Sequence, residues 1–243
     1  MELLSDQGFR VDGRKPHELR KVQCRLGVLC DADGSSYIEQ GNTKVLAVVY
    51  GPHEARGGKS KSQHDKVVLN CQYSMATFST GERKRRPKGD KQSQEISLNL
   101  RRAFEAAICT ELYPHSQIDI FWQVLQSDGG NLSVCINAAT LALIDAGIPM
   151  KDYVCSCSAS FVNDTPLLDV SYIEESQGGP EMVVALFPRS EKIIHLKMTS
   201  RLHVDHLSSV MDLACKGSRD MFGILNQAVR QHVSGLSQSM QIG

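Results

Sequence analysis

Apolar residues along this chain recur first at strand spacing and then at helix spacing, and the sequence passes through that change twice. Residues 22–29, 35–39 and 44–50 read as strands. They are joined by the Asp-, Gly- and Asn-rich segments DADG and EQGNT, as hairpins need. The run VLAVV at 45–49 is apolar without interruption, which predicts a strand covered on both faces. A further strand is expected at 67–78. Over residues 94–112, Ile96, Leu100, Ala103, Phe104, Ala107 and Ile108 fall on one helical stripe, and Pro114 closes the segment. Ile118, Ile120, Trp122 and Val124 then alternate, a strand at 118–126. From Asn131 to Ala146 the chain is apolar nearly all round, which predicts a central, well-covered helix with Gly147 as its stop.

After a joint at 147–153 the rhythm repeats. Strands are expected at 154–162, 166–172, 182–187 and 192–198, followed by a helix from about 205 to 233. Asp205 near its start complements the helix dipole. The polar tail SGLSQSMQIG is expected to fray. Strands then helices, twice over, predict an α+β protein of two similar halves.

Composition changes this picture little. The 243 residues suit one large domain or two small ones, and 41% hydrophobic with 22% charged is ordinary for a chain that buries a core. Lys plus Arg and Asp plus Glu are 27 each, so any nucleic-acid contact must come from local patches. The eight cysteines form no C-x-x-C pair, and several sit in apolar runs. Reduced, buried thiols in a soluble intracellular protein are the expectation. No signal peptide is read at the N-terminus and no membrane-spanning run anywhere.

Local chemistry gathers at four places. Asp128-Gly129-Gly130 joins a strand to a helix N-terminus, the geometry that cradles an anion, though the same tripeptide is also an ordinary turn. A polar loop at 51–66 carries Arg56, Lys59, Lys61 and Lys66. The segment ERKRRPKGDK at 82–91 carries Arg83, Arg85 and Arg86 and is open to three readings: a solvated loop, a nuclear-import signal or a phosphate-backbone contact. Its density in a neutral chain favours the last. Arg10, Arg14 and Arg20 lie in a polar, extended lead-in.

RVDGR at 10–14, the stretch DGS to YGP at 33–52, Q-x-DGG at 126–130, NAATLALIDAGIPM at 137–150 and LLDVSYIEE at 167–175 together resemble the RNase PH family. Within it, the chain is most similar to the exosome ring subunit related to the catalytic archaeal subunit. The resemblance implies the RNase PH-like (ribosomal protein S5 domain 2-like) fold over residues 1–243, with a first half at 18–149 and a second at 152–219. It also implies phosphorolysis, in which phosphate attacks the 3′-terminal phosphodiester of RNA and releases nucleoside diphosphates. Active members bind phosphate at Gly-Gly followed by Ser or Thr and then Arg, place arginines before a glutamate on the preceding helix, and carry two aspartates six residues apart for metal and proton work.

This chain departs from that pattern at each part. After Gly129 and Gly130 come Asn131, which is expected to cap the helix, and Leu132, which cannot make a bidentate phosphate contact. Before Glu95 stand Ser93 and Gln94. The acid pair is Glu175 and Glu181; taken alone, such residues are most often solvated carboxylates. One extra methylene misplaces a metal or proton by about an ångström, a loss of ~10²-fold in rate. The implied function is therefore a non-catalytic exosome ring subunit with no cofactor, Mg²⁺ and phosphate entering only if residual phosphorolysis exists. The alternative is a phosphorolytic 3′→5′ exoribonuclease. Implied partners are single-stranded RNA on Arg56, Lys59, Lys61, Arg83, Arg85 and Arg86, sister ring subunits, RNA-binding cap subunits and a hydrolytic 3′→5′ exoribonuclease. Nucleus, nucleolus and cytoplasm are the expected compartments.

Overall fold

The computed structural model describes residues 3–5, 7–54, 66–83 and 90–242, with side chains described as far as residue 238. Strands β1 (Val22–Leu26), β2 (Gly34–Gln40), β3 (Thr43–Glu54), β4 (Val68–Met75) and β5 (Ser116–Gln126) form one sheet in the order β1-β2-β3-β5-β4. Neighbours are antiparallel except β4 and β5, which run parallel because helix α1 (Lys91–Ala107) carries the chain across between them. Helix α2 (Asn131–Asp145) follows. Strands β6 (Cys155–Val162), β7 (Thr165–Leu168), β8 (Glu181–Phe187) and β9 (Lys192–Met198) form an antiparallel sheet in the order β7-β6-β8-β9, and helix α3 (Tyr172–Ser176) lies between β7 and β8. The long helix α4 (Val204–Ile242) packs over β6, β8 and the edge strand β1.

Helix α2 is the centre of the molecule, and its sequence says why. Every residue from 132 to 143 is buried, because β2 and β3 cover one side and β6 the other. Each large aliphatic side chain buried there contributes about 1.5–3 kcal/mol. Its few polar groups are used as stitches. Asn137 Nδ2 donates to the Ser156 carbonyl (2.9 Å) and its Oδ1 accepts from Ser156 N (2.9 Å). Thr140 Oγ1 donates to the Val154 carbonyl (2.7 Å). From the other sheet, Ser36 Oγ donates to Ala138 O (2.6 Å) and Trp122 Nε1 to Cys135 O (2.9 Å). One hydrophobic core therefore runs through both sheets, from Ile38 and Trp122 to Val183 and Leu225.

The structure corrects several expected boundaries. The strand expected over 166–172 stops at Leu168. Asp169 turns the chain with φ +54°, and residues 172–176 form α3. Ser171 N donates to Glu174 Oε2 (2.8 Å), half of a capping box whose S-x-x-E signature was present in the sequence. The helix expected over 94–112 starts at Lys91 and ends at Ala107. Ile108 leaves in extended conformation to bridge Met150, and residues 110–112 make one 3₁₀ turn. The tail expected to fray continues α4 to Ile242, since Gly235 alone does not break a helix of that length. Gly147, at φ +68°, stops α2 as expected. All eight cysteines are unpaired. Cys135, Cys155 and Cys157 are buried, Cys30 is exposed, and burial pushes the Cys24 thiol up to about 11. Among the described residues no helix is long and apolar enough to cross a membrane.

Candidate functional site

The Asp128-Gly129-Gly130 turn is held by buried ion pairs that join three distant parts of the chain. Arg20 Nη2 donates to Asp169 Oδ1 (2.7 Å), Arg20 N donates to Asp169 Oδ2 (2.8 Å), and Arg20 Nη1 donates to the Asp128 carbonyl (2.7 Å). Thr43 Oγ1 donates to the Gly129 carbonyl (2.9 Å). Arg10 forms a bidentate pair with Glu174 and donates to the Leu168 and Asp169 carbonyls. Arg10, Arg20, Asp169 and Glu174 are all buried. Burial pushes the Asp169 carboxyl up, but the charge and hydrogen bonds of Arg20 outweigh it and hold it below the usual carboxylate range. The polar lead-in read from sequence is thus partly interior, and all three of its arginines converge on Asp169, Arg10 and Arg14 on its carbonyl and Arg20 on its carboxylate.

That anchoring presents the N-terminus of α2 to a cavity of about 230 Å³. Its lining includes Gly130, Asn131, Leu132, Glu175, Glu181, Lys197 and Thr199, with Gln92 and Ile96 from α1. Gly130 is the N-cap, at φ +63°, so Asn131 is the first helical residue instead of the cap. Its Nδ2 donates to Ser127 Oγ (2.7 Å), and its Oδ1 is buried without a hydrogen-bond partner. Leu132 is buried and lines the cavity with hydrocarbon. On α1 the residues that reach the cavity are Gln92 and Ile96, one helical turn apart. Ser93 and Gln94 are not part of the lining. Ser93 is half-buried and Gln94 exposed.

Glu175 and Glu181 meet in this cavity. Glu175 is exposed at its rim. Glu181 is half-buried and accepts weakly from Thr199 Oγ1 (3.4 Å). Desolvation first, and the neighbouring Glu175 second, push the Glu181 carboxyl up to about 7. Desolvation also raises Glu175, against a pull from Arg20. The pair is therefore not a pair of isolated surface carboxylates. Among the described lining residues, Lys197 is the one cation, and its Nζ sits 2.8 Å from Glu95 Oε1. No group of three or more His, Cys, Asp or Glu among the described residues is placed to hold a metal ion. Two carboxylates suit hydrated Mg²⁺ only with further oxygens from a substrate phosphate.

The raised Glu181 carboxyl sets a pH signature. The native state holds this proton more tightly than the unfolded chain, so Glu181 makes stability fall as pH rises from 4.5, its unperturbed value, to about 7. Replacing Glu181 with Gln is expected to remove this slope. In urea unfolding, the variant should gain on the order of 1–2 kcal/mol over wild type between pH 5 and pH 8. An unchanged gap between the two proteins would remove the claim.

Of the residues expected to contact RNA, Arg83 is exposed. Arg56, Lys59, Lys61, Arg85 and Arg86 lie outside the described residues.

The fold is two sheets around a buried helix, with Gly-Gly at that helix's N-terminus and a carboxylate pair beside it in one cavity. The chain belongs to the 3′ exoribonuclease (RNase PH) family: domain 1 of that family matches residues 18–149 and domain 2 matches residues 152–217. It is 60% identical to the exosome complex component RRP41 of Bos taurus over 237 residues, covering 98% of this chain and 97% of that protein. The same component from Homo sapiens is 60% identical over 233 residues, 96% of this chain and 95% of that one. Among solved structures, the crystal structure of rice (Oryza sativa) Rrp46 superposes with a TM-score of 0.77 at 27% identity, covering 89% of this chain and 98% of the rice chain.

Proposed function

We infer that the chain is a ring subunit of an RNA exosome that guides single-stranded RNA and does not itself catalyse phosphorolysis. Sixty per cent identity over nearly the full length to an exosome component supports the assembly. The observation that carries the loss of catalysis is the lining of the cavity at Gly130. Leu132 is buried there, the described lining holds no arginine, and its one cation, Lys197, is engaged by Glu95. Phosphate is a dianion near neutral pH, and nothing described there offers the bidentate guanidinium its charge calls for.

In this reading the subunit pairs with a sister RNase PH-type subunit, and three such pairs close a six-membered ring. RNA-binding cap subunits sit on one face, and a hydrolytic 3′→5′ exoribonuclease receives RNA at the other. Ribosomal RNA precursors and messenger RNA due for decay are the substrates, in nucleus, nucleolus and cytoplasm. The basic residues Arg56, Lys59, Lys61, Arg83, Arg85 and Arg86 contact phosphates without reading bases. Reversing Lys59, Lys61, Arg85 and Arg86 to acids should leave ring assembly intact by size measurement. RNA protection should fall by at least tenfold at low salt, with a shallower salt dependence. Unchanged protection would remove these loops from the RNA path.

A second reading, residual phosphorolysis, has one observation in its favour: Glu175, Glu181 and the α2 N-terminus still meet in one cavity. Phosphate-dependent release of nucleoside diphosphates separates the two.

A further inference from the structure

The most exposed aromatic ring among the described residues belongs to Phe78, at 69%. Phenylalanine left in water by a chain that buries Phe104 and Trp122 completely is a feature in search of a partner. Its backbone is held in place. Ala76 N donates to the Val124 carbonyl (2.9 Å), Ser79 N to the Ala76 carbonyl (3.0 Å), and Ser127 N to the Ser79 carbonyl (2.8 Å). The turn carrying Phe78 is therefore fastened to the end of β5 and to the segment leading into Gly129.

Phe78 borders a cavity of about 490 Å³, within the ~300–1,000 Å³ usual for small-ligand sites. Leu125 adds a second apolar side chain to the wall, and Asn42, Lys44, Gln126, Ser127 and Thr80 supply polar ones. Asp128 is there too, but its carboxylate accepts from Asn42 Nδ2 (3.1 Å) and from Tyr172 N (3.3 Å), and lies 4.0 Å from Arg20. Thr80 Oγ1 donates to the Glu82 carbonyl (2.7 Å), which fixes the chain between Phe78 and exposed Arg83. Thr80 and Ser127 also line the Glu175–Glu181 cavity, so the two cavities share a wall.

We propose that the cleft beside Phe78 is a nucleobase-stacking subsite for single-stranded RNA. An exposed ring beside Lys44, whose Nζ lies 3.9 Å from Glu39 Oε1, with exposed Arg83 five residues on, is the combination that holds single strands without sequence preference. The ring takes a base face, the cations take the adjoining phosphates, and Gln126 offers its amide to a base edge. This rests on the RNA-guiding reading above and adds to it a site whose contribution is not electrostatic. A neighbouring subunit would cover the same ring differently, and the test tells the two occupants apart.

The assembled ring is compared with rings carrying Phe78→Ala or Phe78→Trp, using oligoadenylate and an abasic oligonucleotide of equal length. Phe78→Ala should weaken oligoadenylate binding about 5- to 100-fold, the loss of one base–aromatic stack. The salt dependence should not change, because no phosphate contact is lost, and abasic binding should stay at the wild-type level. Phe78→Trp should retain affinity, and its indole emission should quench on oligoadenylate. Trp122, the chain's one native tryptophan, is buried and gives the baseline. Oligoadenylate binding unchanged in Phe78→Ala overturns the subsite and leaves the RNA-guiding reading standing. A ring that fails to assemble when Phe78 is Ala, yet assembles when it is Trp with no quenching, overturns it in favour of a subunit contact. A wild-type ring that binds no RNA overturns both.

Discussion

Asp169→Ala is expected to cost about 3–5 kcal/mol of folding stability, the largest loss of any single substitution considered for this chain. The carboxylate is fully buried and takes both the backbone N–H and a guanidinium N–H of Arg20. Removing it leaves Arg20, itself only 7% exposed, with no carboxylate nearer than Asp128 at 4.0 Å among the described residues. Truncating Arg20 in the same protein, as Asp169→Ala with Arg20→Met, should recover part of the loss, because removing both charges is far cheaper than stranding one. Recovery should be incomplete, since Arg20 also donates to the Asp128 carbonyl. Urea unfolding at pH 7 measures both. A loss below 1 kcal/mol in the single variant would show that Arg20 finds water or another partner. The pair also predicts acid sensitivity. Asp169 titrates below its ordinary value in the fold, so its contribution is present above about pH 4 and is lost as pH falls through the native value.

Gly129→Ala should be nearly as damaging, for a steric reason. At φ +81° an L-residue is strained by roughly 1–2 kcal/mol. A β-carbon there would also stand 2.6 Å from the Val170 carbonyl oxygen and 2.8 Å from Tyr172 N, backbone atoms that cannot swing aside. Overpacking of this kind adds roughly 1–3 kcal/mol. Gly147→Ala supplies the control. It shares the positive φ (+68°) but meets nothing within 4 Å, so strain alone, about 1 kcal/mol, is expected. Equal losses at the two glycines would mean that the close approach of the 128–130 turn to the 169–172 link contributes nothing.

These two residues also mark what sequence could and could not reveal. Helix α2 was legible because its apolar residues run all round, and only a helix covered on every side tolerates that. The alternation in β5 was legible for the same kind of reason. Gly129 and Gly130 stand out as a strand–helix junction, and the structure places Gly130 at a cavity with Glu175 and Glu181. The anchoring arginines were not legible. Arg20 meets Asp169 across 149 residues and Arg10 meets Glu174 across 164, and no local pattern announces a partner at that separation. Asn131 misled for a simple reason. Asparagine before a helix favours the cap, but Gly130 already turns the chain there, and Asn131 is spent on Ser127. Ser93 and Gln94 were read by their place before Glu95, whereas helix rotation selects Gln92 and Ile96 for the cavity.

The departures at Leu132, Glu175 and Glu181 share one physical consequence. The helix N-terminus still offers N–H groups, but the surrounding charge is negative or already engaged. A site that must hold phosphate while charge develops on the transferring group needs a cation free to meet it, and the described lining offers only Lys197, already paired with Glu95. Burial is the first cause of the raised carboxyls at Glu175 and Glu181, and of the two only Glu181 is raised further by its neighbour.

The most direct measurement is nucleoside diphosphate release from 3′-tailed RNA by the assembled ring, with no hydrolytic exoribonuclease present, as inorganic phosphate is titrated in. The account predicts no diphosphate at any phosphate concentration and RNA of unchanged length. Diphosphate release that rises with phosphate and disappears with Glu181→Gln would contradict it and return this chain to the working phosphorolytic enzymes.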